Sequence, residues 1–133
     1  MKDKKAILIV DDDAIILLAM KQELMRSFGA DFIMETALCA AEAYTVIDEL
    51  VEDGVRLILI ISDWLMPDVK GDELLASVKS RHPDVRCIIV SGQADPEAIA
   101  RARERVHLDA FIRKPWSRNE LLSAVGACLD REP

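Results

Sequence analysis

Leu57-Ile58-Leu59-Ile60-Ile61 is an unbroken apolar run that ends in Ser62-Asp63-Trp64. Large apolar residues without alternation do not suit a strand with one wet face; they suit a strand buried on both faces, as in a parallel sheet. Four runs of the same kind lie outward from it: Ala6 to Val10 and Phe32 to Met34 before it, Cys87 to Val90 and Ala110 to Ile112 after it. Between the runs the spacing turns helical. From Ala14 onward, Met20, Leu24 and Phe28 recur at every fourth position, and Gly29 stands where a helix stops. Ala40, Ala43, Tyr44, Ile47, Leu50 and Val51 form a second stripe, closed by Gly54. Leu74, Leu75 and Val78 mark a third helix, which ends before His82-Pro83. Asp95-Pro96 reads as an N-cap with proline at the first helical position. Ser117 and Glu120 read as a capping box ahead of Leu121, Val125 and Leu129. The order is strand then helix, five times over. Right-handed crossovers turn that order into an α/β sandwich, a five-stranded parallel sheet with helices on both faces.

In an open α/β sheet, functional residues gather at the carboxyl ends of the strands. Asp11-Asp12-Asp13 follows the first run, Ser62-Asp63-Trp64 the third, Ser91-Gly92 the fourth and Arg113-Lys114-Pro115 the fifth. Acids, a hydroxyl and a lysine therefore converge on one edge of the sheet from four segments. Carboxylates from two strand ends repel unless a cation neutralises them. Hard oxygen donors with water favour Mg²⁺. A carboxylate beside such a cation can attack a phosphoryl group and become an acyl phosphate. An ammonium and a hydroxyl then offset charge on the phosphoryl oxygens. Each segment alone has a plainer reading: a solvated acidic loop with Asp13 as helix cap, turn residues at Asp63 and Ser91-Gly92, a surface lysine at Lys114. The joint placement, each at its own strand end, carries the chemistry.

The 133 residues suffice for one core, and positions 1–133 read as a single domain with no linker, repeat or low-complexity stretch. A hydrophobic share of 51% against 31% charged excludes disorder on composition. Twenty-four acids against 17 bases, a net charge of −7, argue against a nucleic-acid surface, which needs a basic face. The longest uncharged run, Leu121 to Leu129, falls far short of the ~20 residues of a membrane helix. Cys39, Cys87 and Cys128 are odd in number and widely spaced, which fits free thiols in a reducing compartment. The expectation is a soluble, cytoplasmic protein.

These segments make the chain resemble the receiver domains of two-component response regulators over nearly its whole length. The resemblance rests on Ile9-Val10-Asp11-Asp12, on Asp63-Trp64-Leu65-Met66-Pro67 with Gly71 after it, on Val90-Ser91-Gly92, and on Lys114-Pro115 preceded by Phe111. It implies the flavodoxin-like sandwich with strand order 2-1-3-4-5. It implies that Asp63 accepts a phosphoryl group from a phosphohistidine on a sensor histidine kinase or phosphotransfer protein. Mg²⁺ would be held by Asp11, Asp12, Asp63 and the backbone carbonyl of Leu65. Lys114 would bridge to the phosphoryl group, Ser91 would move to bond it, and Phe111 would follow as the aromatic switch. The face made by the fourth helix, fifth strand and fifth helix would then change its affinity for partners, a second copy of the chain among them. The fourth helix, polar through Arg101, Arg103, Glu104 and Arg105, is the candidate moving part. The resemblance also implies a cis Lys114–Pro115 bond. It places Leu65 over the phosphoryl group, a shield under which phosphorylated Asp63 hydrolyses slowly, and Gln93 at the rim, where a side chain able to position a water works against that slowing. By this reading the domain is a switch, not a turnover enzyme.

Two departures from the family pattern are small. Serine at position 91 keeps the donor of the commoner threonine and loses a methyl group. Phenylalanine at position 111 has no hydroxyl with which to bond a partner. The main rival is a haloacid-dehalogenase-like phosphatase with Asp11 as nucleophile, Asp13 as the second acid, Ser91 in the hydroxyl motif and Lys114 as its lysine. Such enzymes need a further acidic cluster after the lysine, and only Glu120, Asp130 and Glu132 follow. Glu120 already serves a cap, and the rival leaves Asp63-Trp64-Leu65-Met66-Pro67 unexplained. A receiver that binds partners without phosphorylation is disfavoured by the intact site, and a metal or redox protein by the cysteine spacing. Trp64 and Trp116 flank the site segments and read as packing residues.

Overall fold

The computed structural model describes residues 3–92 and 95–130; Gln93 and Glu132 lie outside them. Strands β1 (Lys5–Val10), β2 (Ile33–Ala37), β3 (Arg56–Ser62), β4 (Arg86–Ser91) and β5 (Ala110–Arg113) alternate with helices α1 (Ala14–Phe28), α2 (Ala40–Glu52), α3 (Gly71–Arg81), α4 (Pro96–Arg105) and α5 (Arg118–Asp130). The strands form one parallel sheet in the order β2-β1-β3-β4-β5, with Ile9 level with Thr36 and Ile61, and Ile61 level with Ile88. The chain is thus the expected flavodoxin-like α/β sandwich.

The absence of alternation in the apolar runs has a direct cause. Successive residues of one strand enter two separate cores. Ala6, Leu8 and Val10 pack with Ala43, Ile47 and Leu50 of α2, with Leu74, Leu75 and Val78 of α3, and with Ala102 of α4. Ile7 and Ile9 pack with Leu17, Met20 and Leu24 of α1 and with Leu121, Val125 and Cys128 of α5. Two faces are buried, so both parities must be apolar.

The helix ends follow from their caps. The Asp13 carboxylate accepts from the N–H groups of Ile15 and Ile16, and Asp95 caps α4 at Glu97 N–H ahead of Pro96. The Ser117 hydroxyl accepts from Glu120 N–H at the start of α5. Helix α2 stops in a Schellman motif: Gly54, at φ +73°, donates to the Val51 carbonyl, and Val55 donates to that of Leu50. Gly29 ends α1 with an ordinary right-handed backbone, so its freedom as glycine is not what stops that helix.

Two expectations need correction. Strand β2 spans Ile33–Ala37, beyond the apolar Phe32 to Met34, because an edge strand leaves both faces partly open and so can carry the half-buried Glu35 and Thr36. Val51 lies on the exposed side of α2, not in its buried stripe. In α5 the expected Leu121, Val125 and Leu129 do face one core, Leu129 half-buried against it, and Cys128 joins them as a buried residue. No helix among the described residues is long and apolar enough to cross a membrane.

Candidate functional site

Strands β1 and β3 lie side by side, and the chain leaves them toward opposite edges of the sheet. That arrangement opens a crevice at their carboxyl ends. Asp11 is the first residue past β1 and Asp63 the first past β3. Their backbones stay tied to the ladder, Asp11 N–H to the Ala37 carbonyl at 3.1 Å and Asp63 N–H to that of Val10 at 2.9 Å. Lys114 is the first residue past β5, and its N–H reaches the carbonyl of Ser91, the last residue of β4, at 2.9 Å. The Lys114–Pro115 bond is cis, as expected.

The side chains meet. Lys114 Nζ donates to Asp11 Oδ2 at 2.7 Å and stands 3.4 Å from Asp63 Oδ1. Asp11 Oδ1 accepts from Asp13 N–H at 2.9 Å, and Asp63 Oδ1 accepts from Trp64 N–H at 2.8 Å. Asp12 is exposed, yet one carboxylate oxygen from each of Asp11, Asp12 and Asp63 lies within 4.8 Å of the others. Asp11 and Asp63 are buried, at 3% and 8% exposure, and Ser91 is buried beside them in the sheet. Leu65 is half-exposed at 50%.

The electrostatics are unbalanced. Burial, and then the charge of Asp11, push the Asp63 carboxyl above its ordinary value, against the pull of Lys114 and the Trp64 N–H. Burial disfavours the Lys114 ammonium, but the Asp11 hydrogen bond and the charges of Asp11 and Asp63 outweigh it and hold its pKa above the usual lysine value. Three carboxylates thus face one ammonium. An all-oxygen donor set with surplus negative charge suits a hard divalent cation such as Mg²⁺. The same geometry leaves Asp63 oriented by Trp64 N–H and within reach of a cationic partner for developing charge.

Loop geometry explains Gly71. A Cβ there would collide with the Asp63 carbonyl oxygen, and the Gly71 N–H donates to the Trp64 carbonyl at 2.7 Å. Only glycine lets α3 start this close to the acidic residue. Behind the site, Trp64 is buried and meets Phe111 edge-on, with ring centroids 6.0 Å apart and planes at 83°. Phe111 itself is half-buried.

Two further residues escape the sequence reading. Asp68 caps α2 from another loop, accepting from Ala40 N–H at 3.2 Å and Ala41 N–H at 3.0 Å. Trp116 does more than pack, since its indole N–H donates to Glu23 Oε2 of α1 at 2.8 Å. Nothing in local sequence announces either partner. At the far end of α4, Arg105 stands 3.5 Å from Asp72 and 3.7 Å from Glu73 of α3, while Ala102 is the one buried residue of that helix.

The sequence pattern of the response regulator receiver domain matches residues 7–126. The chain is 33% identical over 124 residues to the DNA-binding transcriptional regulator NtrC of Azospirillum brasilense, covering 93% of this chain and 24% of that protein. It is 29% identical over 126 residues to the sensor kinase CckA of Brucella abortus, covering 95% of this chain and 12% of that protein. The chain therefore spans a quarter or less of these two relatives. A receiver domain from Methanospirillum hungatei, described as CheY-like, superposes with a TM-score of 0.81 at 32% identity, over 96% of this chain and 95% of that one.

Proposed function

The chain belongs to the response regulator receiver domain family, and from that membership we propose that it is a signalling switch thrown by phosphorylation of Asp63. The supporting observation is the strand-end cluster itself, in which Asp63 Oδ1 stands 3.4 Å from Lys114 Nζ beside the Asp11 carboxylate. A phosphohistidine on a sensor histidine kinase or phosphotransfer protein supplies the phosphoryl group. An Asp63 oxygen forms the new bond to phosphorus, the bond from phosphorus to the histidine nitrogen breaks, and that nitrogen keeps the electron pair. Asp11, Asp12, Asp63 and the Leu65 carbonyl are the residues that would hold Mg²⁺, which when bound neutralises charge on the phosphoryl oxygens. Lys114 pairs with the phosphoryl group, and the Ser91 hydroxyl donates to it.

The output follows from packing. Phe111 repacks when Ser91 moves, and its ring already touches the Trp64 that follows the acceptor. Helix α4, anchored by Ala102 and the Arg105 ion pairs, shifts most readily. The α4-β5-α5 face then alters its affinity for a target or a second copy of the chain. Exposed apolar side chains stand on segments that follow the strand ends: Ile15 and Leu18 on α1, Leu38 past β2 and Leu65 past β3. They suit the donor protein's docking. Leu65 shields the phosphorylated residue from water and slows its hydrolysis.

Incubation with acetyl phosphate and Mg²⁺ should add one phosphate, mapped by mass spectrometry to Asp63 and absent in Asp63→Asn. Labelling of Asp11 instead would restore the phosphatase reading; equal labelling of the Asn variant would overturn this one.

A further inference from the structure

Lys114 has no rigid element of its own. It lies between the end of β5 and the start of α5, in the segment Lys114–Ser117. Its backbone N–H is tied to Ser91, but its ammonium must reach back over 103 positions to Asp11. What seats this segment sideways is Trp116. The half-buried indole packs on the α1–α5 core, and its N–H donates to Glu23 Oε2 at 2.8 Å. Ile16, two turns before Glu23 on the same stripe of α1, borders the same hollow as Lys114, Pro115 and Trp116. The loop is therefore pressed against α1 by ring packing and fastened by one charge-assisted hydrogen bond. Such a bond is short, directional and roughly twice as strong as a neutral one.

We propose that Trp116 and Glu23 form a strut that positions Lys114, so that its ammonium meets the phosphoryl group in the correct place. The inference rests on the proposed role of Lys114. A cation placed for a developing charge loses effect steeply with displacement, because the stabilisation depends on preorganisation. The strut makes that placement a property of α1, the helix that starts just past the acidic loop and carries the exposed Ile15 and Leu18. Trp116 and Glu23 are positioning residues; neither touches the reacting atoms.

The test is a double-mutant cycle on the full chain. Trp116→Phe keeps the ring and removes the N–H; Glu23→Ala removes the acceptor; Glu23→Gln keeps a neutral acceptor. Three quantities are read: the phosphorylation rate with acetyl phosphate at saturating Mg²⁺, Mg²⁺ affinity by calorimetry, and the thermal midpoint. Trp116→Phe and Glu23→Ala should each slow phosphorylation roughly fivefold, the double variant should be no slower than either single, and Glu23→Gln should recover most of the rate. Mg²⁺ affinity should not fall, since Lys114 donates no metal ligand and its displacement only leaves the Asp11 and Asp63 carboxylates less neutralised. Wild-type rates in the single variants, additive losses in the double variant, or Mg²⁺ affinity falling in step with rate would each overturn the strut. The Asp63→Asn control judges the phosphorylation reading separately: its continued labelling would sink that reading whatever the strut variants do.

Discussion

At the scale of single residues, the site is a charge problem solved in advance for a ligand. Asp11, Asp12 and Asp63 face one ammonium, so the folded protein carries surplus negative charge there that a bound cation would offset. Asp63→Asn removes one carboxylate and keeps the shape. It should raise the thermal midpoint measured without Mg²⁺, although it removes the proposed acceptor. Wild type should gain stability from Mg²⁺, about 2.7 kcal/mol at a hundred times the dissociation constant, and Asp63→Asn clearly less; calorimetric scans with and without Mg²⁺ measure both. The cysteines give a second expectation. Burial pushes the Cys87 thiol up to about 12, with the nearby Lys79 charge only partly offsetting it. Cys128 is also buried and Cys39 only half-buried. Under native conditions at neutral pH a maleimide should modify Cys39 first, with Cys87 and Cys128 reacting only on unfolding, as mass spectrometry would show. The acidic, hydroxyl and lysine positions were legible in sequence because each residue type stands at the end of an apolar run. Trp116 with Glu23 was not, because a partner 93 positions away is defined only once α1 and the β5–α5 loop are packed together.

At the scale of elements, helix α2 is started from outside itself. Its N-cap residue, Cys39, makes no side-chain cap bond, and Asp68 supplies the acceptors across 28 positions. The loop after β3, which carries Asp63 and Leu65, is thereby fastened to the helix after β2. Asp68→Ala should cost about 1 kcal/mol, the usual value of a lost N-cap, read from urea unfolding with unchanged slope. The pH dependence has a definite sign. Slight burial raises the Asp68 pKa, but the hydrogen bonds from Ala41, Ala40 and Val69 outweigh it and hold the carboxyl below its ordinary 3.8. A depressed folded pKa means that the stabilisation is present above pH 3.8 and lost as pH falls through the lower folded value. Asp68→Asn should therefore flatten the acid limb of the stability curve, and an unchanged limb would show that the cap carries no linkage. Element boundaries were less legible than element types. The apolar run marked β2 only as far as Met34 because an edge strand tolerates the Glu35 and Thr36 that a central strand would not.

At the scale of the whole molecule, two cores on either side of one sheet bury the strands β1, β3 and β4, which end beside or in Asp11, Asp63 and Ser91. The fold class was legible because five apolar runs without alternation, separated by amphipathic stretches, admit few other arrangements. The pairing of the α4 end with α3 was not, since Arg105, Asp72 and Glu73 have the composition of any solvated helix surface. The exposed apolar side chains past the strand ends give a test that separates docking from chemistry. Replacing both Ile15 and Leu18 by alanine should lower transfer from a phosphorylated histidine phosphotransfer protein about tenfold, a loss of ~1.4 kcal/mol. Labelling by acetyl phosphate should be unchanged, because a small donor needs no docking surface. Equal loss from both donors would place Ile15 and Leu18 in the support of the site itself.

The ion pair between Lys114 and Asp11 spans 103 positions, and that span has a consequence in time. Synthesis delivers the acidic residues early and the lysine near the close of the domain. Until β5 has inserted at its edge of the sheet, the carboxylates have no ammonium beside them. Non-local pairings of this kind form late and slowly, because distant chain segments must first be brought together. On the proposed reading, competence to accept phosphoryl would therefore arrive with completion of the fold, since a partly made or partly unravelled copy lacks Lys114 at the site.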